Sequence, residues 1–405
     1  MRSKLQSVVL NDLCEQIVDS EHKTAPTQSF GIPYVRTPNV KNTRLILDES
    51  LRVDEATYKE WTKRIEPKPY DIILCREAPV GDSAMILDNQ KVCLGQRTVL
   101  IRSNKEKIYP KYLLFLLNSP KVKHELLSNS GGTHVDHLNM KDIRNLKVQI
   151  HHSYDEQKII GNFLFDLNSQ IHSIENQNKI LEQMAQAIFK SWFVDFDGVT
   201  EFEDSELGKI PKGWEIVKLC EISKVIDSAH ITPKYSSNGL SMVRVTNIQN
   251  GFLNLEGTLK VTRNVYEEFT KNYKPQKNDI LMSRVGTYGI VCFVGTDEPF
   301  CLGQNTVVIH SILNYFIYHN LISKLTQNQI ETKVDGSTQK TITLKNIRNL
   351  LIVKPNEKDE GIIKKFNEKI STIFENMINN NYQIHVLTKT RDALLPKLMS
   401  GEIRV

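Results

Sequence analysis

The sequence repeats itself once, with a period close to 208 residues. Val18-Asp19-Ser20-Glu21-His22-Lys23-Thr24 returns as Ile226-Asp227-Ser228-Ala229-His230-Ile231-Thr232. Gly31, Val35, Arg36 and Asn39 return as Gly239, Val243, Arg244 and Asn247; Asp71-Ile72, Arg76 and Gly81 return as Asp279-Ile280, Arg284 and Gly289. The longest identity is Cys93-Leu94-Gly95-Gln96 against Cys301-Leu302-Gly303-Gln304. Further on the offset slips to about 204, where Ile143-Arg144-Asn145-Leu146 matches Ile347-Arg348-Asn349-Leu350. A period of about 200 residues is far longer than the 20–50-residue unit of a solenoid. It means two whole domains of one fold in tandem, as a chain of 405 residues allows at roughly 150 per domain.

Each half runs in the same order. Short β-like runs come first (Asp71–Leu74, Val99–Ile101; Asp279–Met282, Val307–Ile309), bounded by Gly, Pro and Asn. A helix is predicted next, over Tyr112–Leu127 and Tyr315–Leu325, then Gly-rich turns. Such a mixture predicts an α+β lobe in each half.

A long helix is predicted to close each half. In the first, apolar or small residues fall at Ile160, Leu164, Leu167, Ile171, Ile174, Leu181, Ala185, Ile188 and Trp192, alternating steps of four and three. In the second, Phe366, Ile370, Ile373, Met377, Ile384, Leu387 and Leu394 do the same. A stripe that long suits a coiled-coil seam better than a helix lying on its own domain, and each half supplies the other's partner. Asn178, Asn380 and Arg391 interrupt the seam; the asparagines suit register-setting positions. Pro396 is expected to end the second helix near Leu395, and Asp195–Gly198 the first. Thr200–Glu206 reads as an acidic linker. Two like lobes joined by an antiparallel helix pair would form a pseudo-twofold object with a spacer of about 57 Å. DNA has the same symmetry, and dimeric readers space two half-sites about 34–36 Å apart. Because the halves differ in most residues, the expected target is bipartite and asymmetric.

Composition narrows the function classes. Lys+Arg exceed Asp+Glu by 52 to 47, a mild basic excess compatible with nucleic acid. No apolar run approaches the roughly 18 residues of a membrane span, and six cysteines without a C-x-x-C pair read as reduced thiols of a cytoplasmic protein. Phosphate loops, dinucleotide fingerprints, the Asn/Asp-Pro-Pro-aromatic motif of amino-methyltransferases and zinc motifs are all missing. The chain reads as a binding component. The competing readings are a coiled-coil adaptor without DNA binding and a self-sufficient nuclease or methyltransferase, which the missing motifs disfavour.

Three stretches carry a family resemblance: Ile210-Pro211-Lys212-Gly213-Trp214-Glu215-Ile216-Val217-Lys218-Leu219, Ala187-Ile188-Phe189-Lys190-Ser191-Trp192-Phe193-Val194-Asp195-Phe196 and Leu394-Leu395-Pro396-Lys397-Leu398-Met399-Ser400-Gly401-Glu402. With the repeat, they make the chain resemble the specificity subunit of type I restriction–modification systems over essentially its whole length. The resemblance implies target-recognition domains over 1–153 and 213–355, helical conserved regions over 154–197 and 356–405, and a linker over 198–212. It also implies double-stranded DNA, two modification subunits and restriction subunits as partners. S-adenosylmethionine, ATP and magnesium would then be used by those partners, with no cofactor in this chain. One departure stands out: the residues before Leu13-Cys14-Glu15 lack the Pro-x-Gly-Trp that opens the second domain.

The repeat also sorts candidate DNA contacts. Residues identical in both halves cannot alone carry the difference between two half-sites. Arg36/Arg244 and Arg76/Arg284 are therefore phosphate contacts or internal ion pairs. Gln96/Gln304 either pair with adenine or make a structural hydrogen bond. Gly81/Gly289 and Gly95/Gly303 read as turn glycines with positive φ. Base readers are expected where the halves diverge: Thr133–His137 against Ser337–Thr341, and Glu77–Val80 against Val285–Tyr288, with His134, Tyr288, Gln339 and Lys340 as donors.

Overall fold

The computed structural model describes residues 4–77, 79–128, 137–229, 231–335, 340–356 and 361–404. Of the expected base readers, His134 and Gln339 lie outside the described residues. The chain divides into two compact units. The first lobe is Met1–Ser173 with Gln383–Val405; the second is Ile174–Tyr382.

In the first lobe a four-stranded antiparallel sheet runs in the spatial order Cys14–Asp19, Thr98–Ser103, Ile72–Cys75, Ser83–Met85. Its central strands are buried on both faces, which is why they read as continuous apolar runs. A three-stranded sheet sets Ile32–Val35 antiparallel to Leu51–Val53 and parallel to Cys93–Leu94. Leu5–Val9 pairs with Lys147–His151. The second lobe repeats this in register: Lys224–Asp227, Thr306–His310, Ile280–Ser283, Val291–Phe293 form the four-stranded sheet, Leu240–Val243 runs parallel to Phe300–Leu302, and Glu215–Lys218 pairs with Leu351–Lys354. The fold class is α+β in both lobes.

The helix predicted over Tyr112–Leu127 is two helices, Pro110–Leu117 and Pro120–Ser128. Pro120 cannot donate a hydrogen bond within a continuous helix, so it starts a new one. The second lobe breaks likewise at Ser323, between Asn314–Ile322 and Lys324–Thr332, and the Ser323 hydroxyl caps the second piece by accepting from the Thr326 N–H at 3.3 Å.

The two long helices are Tyr154–Phe193 and Gly361–Met399. They pack antiparallel: in the first lobe Glu156 faces Arg404 and Asn168 faces Arg391, and in the second Asn178 faces Asn380 and Phe189 faces Phe366. The seam residues Ile160, Leu164, Ile171, Phe366, Ile370, Ile373 and Met377 are buried; Leu167, Ile174, Leu181, Ile188, Ile384, Leu387 and Leu394 are half-buried. The stripe is wider than a two-helix seam needs, because Phe189, Phe193 and Phe374 are buried too. Near the lobes each helix also packs on a globular core. Ile160 and Leu164 join the first core with Leu395 and Leu398; Phe366, Ile370 and Phe374 join the second with Ala185 and Phe189.

Three expectations are corrected. Pro396 does not end the second helix, which runs on to Met399. Pro396 lies exposed one turn from the end, where Leu395, Leu398 and Met399 anchor the last turn in the core. Termination falls to Gly401 (φ 66°): the Glu402 N–H donates to the Lys397 carbonyl and the Gly401 N–H to that of Leu398, a Schellman motif. The stretch read as an acidic linker forms a hairpin, Phe202–Ser205 against Gly208–Pro211. Gly95 and Gly303 are not positive-φ glycines, although Gly81 (82°) and Gly289 (74°) are. A Cβ on Gly95 would lie 2.6 Å from both the Val35 carbonyl oxygen and the Arg36 Cγ, so close approach is what requires glycine there.

Candidate nucleic-acid interface

The parallel pairing of Val35 with Leu94 and of Val243 with Leu302 brings two predicted residues together in each lobe. Arg36 leaves one strand beside Gly95-Gln96, and Arg244 beside Gly303-Gln304. Both arginines precede a short 3-10 turn in the same way, with their backbone N–H donating to Asn39 Oδ1 (3.0 Å) and Asn247 Oδ1 (2.9 Å). Arg36 is exposed, and its guanidinium has no hydrogen-bond or ion-pair partner among the described residues. Arg244 Nε is buried without a partner. Gln96 Nε2 donates to the His22 carbonyl at 3.0 Å, whereas Gln304 is exposed.

Arg76 and Arg284 occupy a different environment. Arg76 is buried against Asp19, donates from Nε to the Leu138 carbonyl (2.8 Å), and contacts His137 Nε2 at 2.7 Å. That nitrogen accepts from the guanidinium, so the His137 proton sits on Nδ1, 3.1 Å from Glu77 Oε1. Glu77 also pairs with Arg97, and Asp19 with His22. In the second lobe Arg284 makes two 2.7 Å contacts to Asp227 and donates to the Ile342 carbonyl. The partners Asp19 and Asp227 were not singled out from sequence, yet the signal was there: they repeat together with the two arginines. Repetition also marks other scaffold bonds, since Arg144 and Arg348 donate to the Ile17 and Val225 carbonyls, and Thr98 and Thr306 to those of Gly95 and Gly303.

Where the lobes diverge, the second holds a compact cluster. The Tyr288 hydroxyl donates to the Glu331 carboxylate (2.9 Å), and Lys340 Nζ lies 3.5 Å from that hydroxyl and 5.8 Å from the ring centroid. The Gly286 N–H donates to the Lys340 carbonyl, so the two divergent loops are tied to each other. The position of Tyr288 in the first lobe is Val80, which cannot build such a cluster.

The model of the type I restriction modification DNA specificity domain matches residues 3–183 and 211–390. The chain belongs to the type I specificity-subunit family. Specificity subunits are non-catalytic components of type I restriction–modification systems. A relative, the type I restriction enzyme MjaIX specificity subunit of Methanocaldococcus jannaschii, is 30% identical and covers 98% of this chain and 93% of its own length. The HindI specificity subunit of Haemophilus influenzae is 23% identical over 92% of this chain and 94% of that protein. The crystal structure of the S subunit from M. genitalium shares the fold with a TM-score of 0.61 at 13% identity, covering 98% of this chain and 96% of that one. Among the described residues of this specificity subunit, no helix is long and apolar enough to cross a membrane.

Proposed function

We propose that this chain reads a bipartite, asymmetric DNA sequence, one lobe per half-site, for a type I restriction–modification complex. The observation that carries it is the duplicated scaffold bearing unlike side-chain clusters: His137–Glu77–Arg97 around buried Arg76 in one lobe, Tyr288–Glu331–Lys340 in the other. Arg36 and Arg244, left without side-chain partners at matching places, act as phosphate contacts that position each lobe; Gln96 and Gln304 flank them. Tyr288 and Lys340 discriminate in the second lobe, and His134 and Gln339 belong to the same divergent loops. Arg76 and Arg284 hold those loops through their ion pairs.

Two modification subunits dock on the helices, where apolar i, i+4 pairs remain exposed: Ile159 with Phe163, and Ile180 with Met184. Restriction subunits join that assembly. S-adenosylmethionine, ATP and magnesium enter with the partners, and the complex works in the cytoplasm, where six free cysteines stay reduced. Methylome sequencing of the host with this gene intact and deleted tests the proposal. Deletion should erase one split, asymmetric adenine-methylation motif; an unchanged methylome overturns it.

A further inference from the structure

The chain enters the strand Thr98–Ser103 through a four-residue turn, and the second lobe repeats that turn before Thr306. Thr98 closes it by donating to the Gly95 carbonyl at 2.7 Å, as Thr306 does to Gly303. The third residue of each turn is held by its carbonyl: Arg97 accepts from the Arg76 N–H and Asn305 from the Arg284 N–H, both at 2.9 Å. There the backbone is left-handed, with φ of 68° at Arg97 and 65° at Asn305. Asparagine tolerates this region well and arginine poorly, so the first lobe keeps an arginine where the backbone favours the second lobe's residue. One other matched pair, Tyr70 and Asn278, shows the same contrast at φ of 71° and 73°. The tyrosine is accounted for by packing, since it lies against the first core. Packing does not account for Arg97, whose side chain is 63% exposed. Its guanidinium must.

That guanidinium is aimed. Glu77 Oε2 meets Arg97 Nε at 2.8 Å, and Glu77 is itself held by the His137 Nδ1–H at its other oxygen, 3.1 Å away. The carboxylate grips one edge of the planar group, so the two terminal amino groups form the other edge. Arg97 also stands where the two sets of predicted contacts meet. It follows Gln96, is two residues from the Gly95 against which Arg36 lies, and is tied to Glu77 of a loop in which the lobes diverge. A carboxylate 2.8 Å away offsets the charge that a phosphate contact would need. Two N–H donors in one plane instead match the O6 and N7 acceptors of guanine.

We propose that Arg97 reads a guanine in the major groove of the half-site bound by the first lobe. This inference rests on the proposed DNA-reading function and names the base that one residue selects. Asn305, shorter and uncharged, offers an acceptor beside its donors, so the two lobes select differently at one matched position of a shared turn.

The test uses the full chain in complex with its modification subunits. Methylome sequencing of a host carrying the wild-type chain defines the split motif; duplexes bearing that motif, singly substituted at each position, are the binding probes. Arg97→Asn copies the second lobe and suits the turn, so its melting temperature should equal or exceed that of the wild type. It should relax one G·C position of one half-site, where discrimination falls about ten- to a hundredfold, and leave the other half-site's specificity intact. Arg97→Lys keeps the charge without the fork and should relax the same position. If Arg97→Asn weakens binding evenly to every duplex and Arg97→Lys restores it, Arg97 is a phosphate contact and the proposal is overturned. A motif unchanged in both variants overturns it equally. A wild-type chain that yields no split motif sinks the DNA-reading function itself, and this inference with it.

Discussion

The two lobes share a backbone but solve the same packing problem with different chemistry. Counted back from the helix ends, Asn168 and Arg391 of the first lobe correspond to Phe374 and Ala185 of the second. Asn168 is buried, its amide reaching the Asn42 carbonyl (3.1 Å) and His172 (2.9 Å) while its oxygen accepts from Arg391 (2.8 Å). Asn42 and Thr43, with φ of 49° and 68°, form the hairpin tip that rests there. Phe374 instead packs against Phe293, Tyr315 and Phe252 at ring distances of 4.9 to 5.3 Å. At Phe115 against His319 the contrast reverses. A duplicated scaffold therefore conserves where layers meet, not what fills them. The polar layer specifies register through hydrogen bonds, the aromatic one through shape.

The sharpest way to break this comparison is truncation of the two layers. Phe374→Ala removes a ring from a dense aromatic cluster and should cost about 3–5 kcal/mol, seen as a lowered denaturant midpoint. Asn168→Ala takes one partner from Arg391 and the amide donor from the Asn42 carbonyl and Thr43 hydroxyl of the hairpin, and should cost about 1–3 kcal/mol. Equal losses would mean that the layers are not different in kind.

The next contrast sets ion pair against phosphate contact. Arg76→Ala strands Asp19 in a buried site and should cost about 3 kcal/mol, with Arg284→Ala costing less because its pair is more exposed. An unchanged denaturant midpoint together with a shallower salt dependence of duplex binding would instead make Arg76 a phosphate contact.

The last contrast is pH-dependent. His319 is buried against Phe189, Phe366 and Phe374, and burial holds its pKa down at about 4 against an ordinary 6.5. Its folded pKa lies below the unfolded one, so its stabilisation is full above pH 6.5 and drains away as pH falls towards 4. At pH 5 the second lobe should have lost about 2 kcal/mol through this residue. His319→Phe, which copies the first lobe's Phe115, should flatten acid unfolding between pH 6.5 and 4, followed by calorimetry. An unaltered acid transition would show that His319 is not the group responsible.

Much of this was legible in the sequence. The repeat gave the two lobes and most scaffold positions, because residues that hold strands and turns in place recur with the backbone they hold. The heptads gave the helix pair and marked Asn178 and Asn380 as polar seam positions; that Asn178 bonds to both Asn380 and Asn381 emerges only from the structure. Less visible was anything set by three-dimensional context. Pro396 reads as a terminator, but core packing of Leu395 and Leu398 outweighs one missing backbone bond. Gly95 reads as a turn residue, but it is the close approach of the Val35 carbonyl oxygen and the Arg36 side chain that demands the absence of a Cβ. The pairing of Arg76 with Asp19 spans 57 positions in sequence, and only their joint recurrence hints at it.

Each long helix belongs to both lobes, and the first lobe closes its core with Leu395, Leu398 and Met399. A nascent chain on the ribosome therefore lacks part of its oldest domain until its final turn of helix has emerged. A product cut short by premature termination is left with a breached first core rather than with one intact reading head.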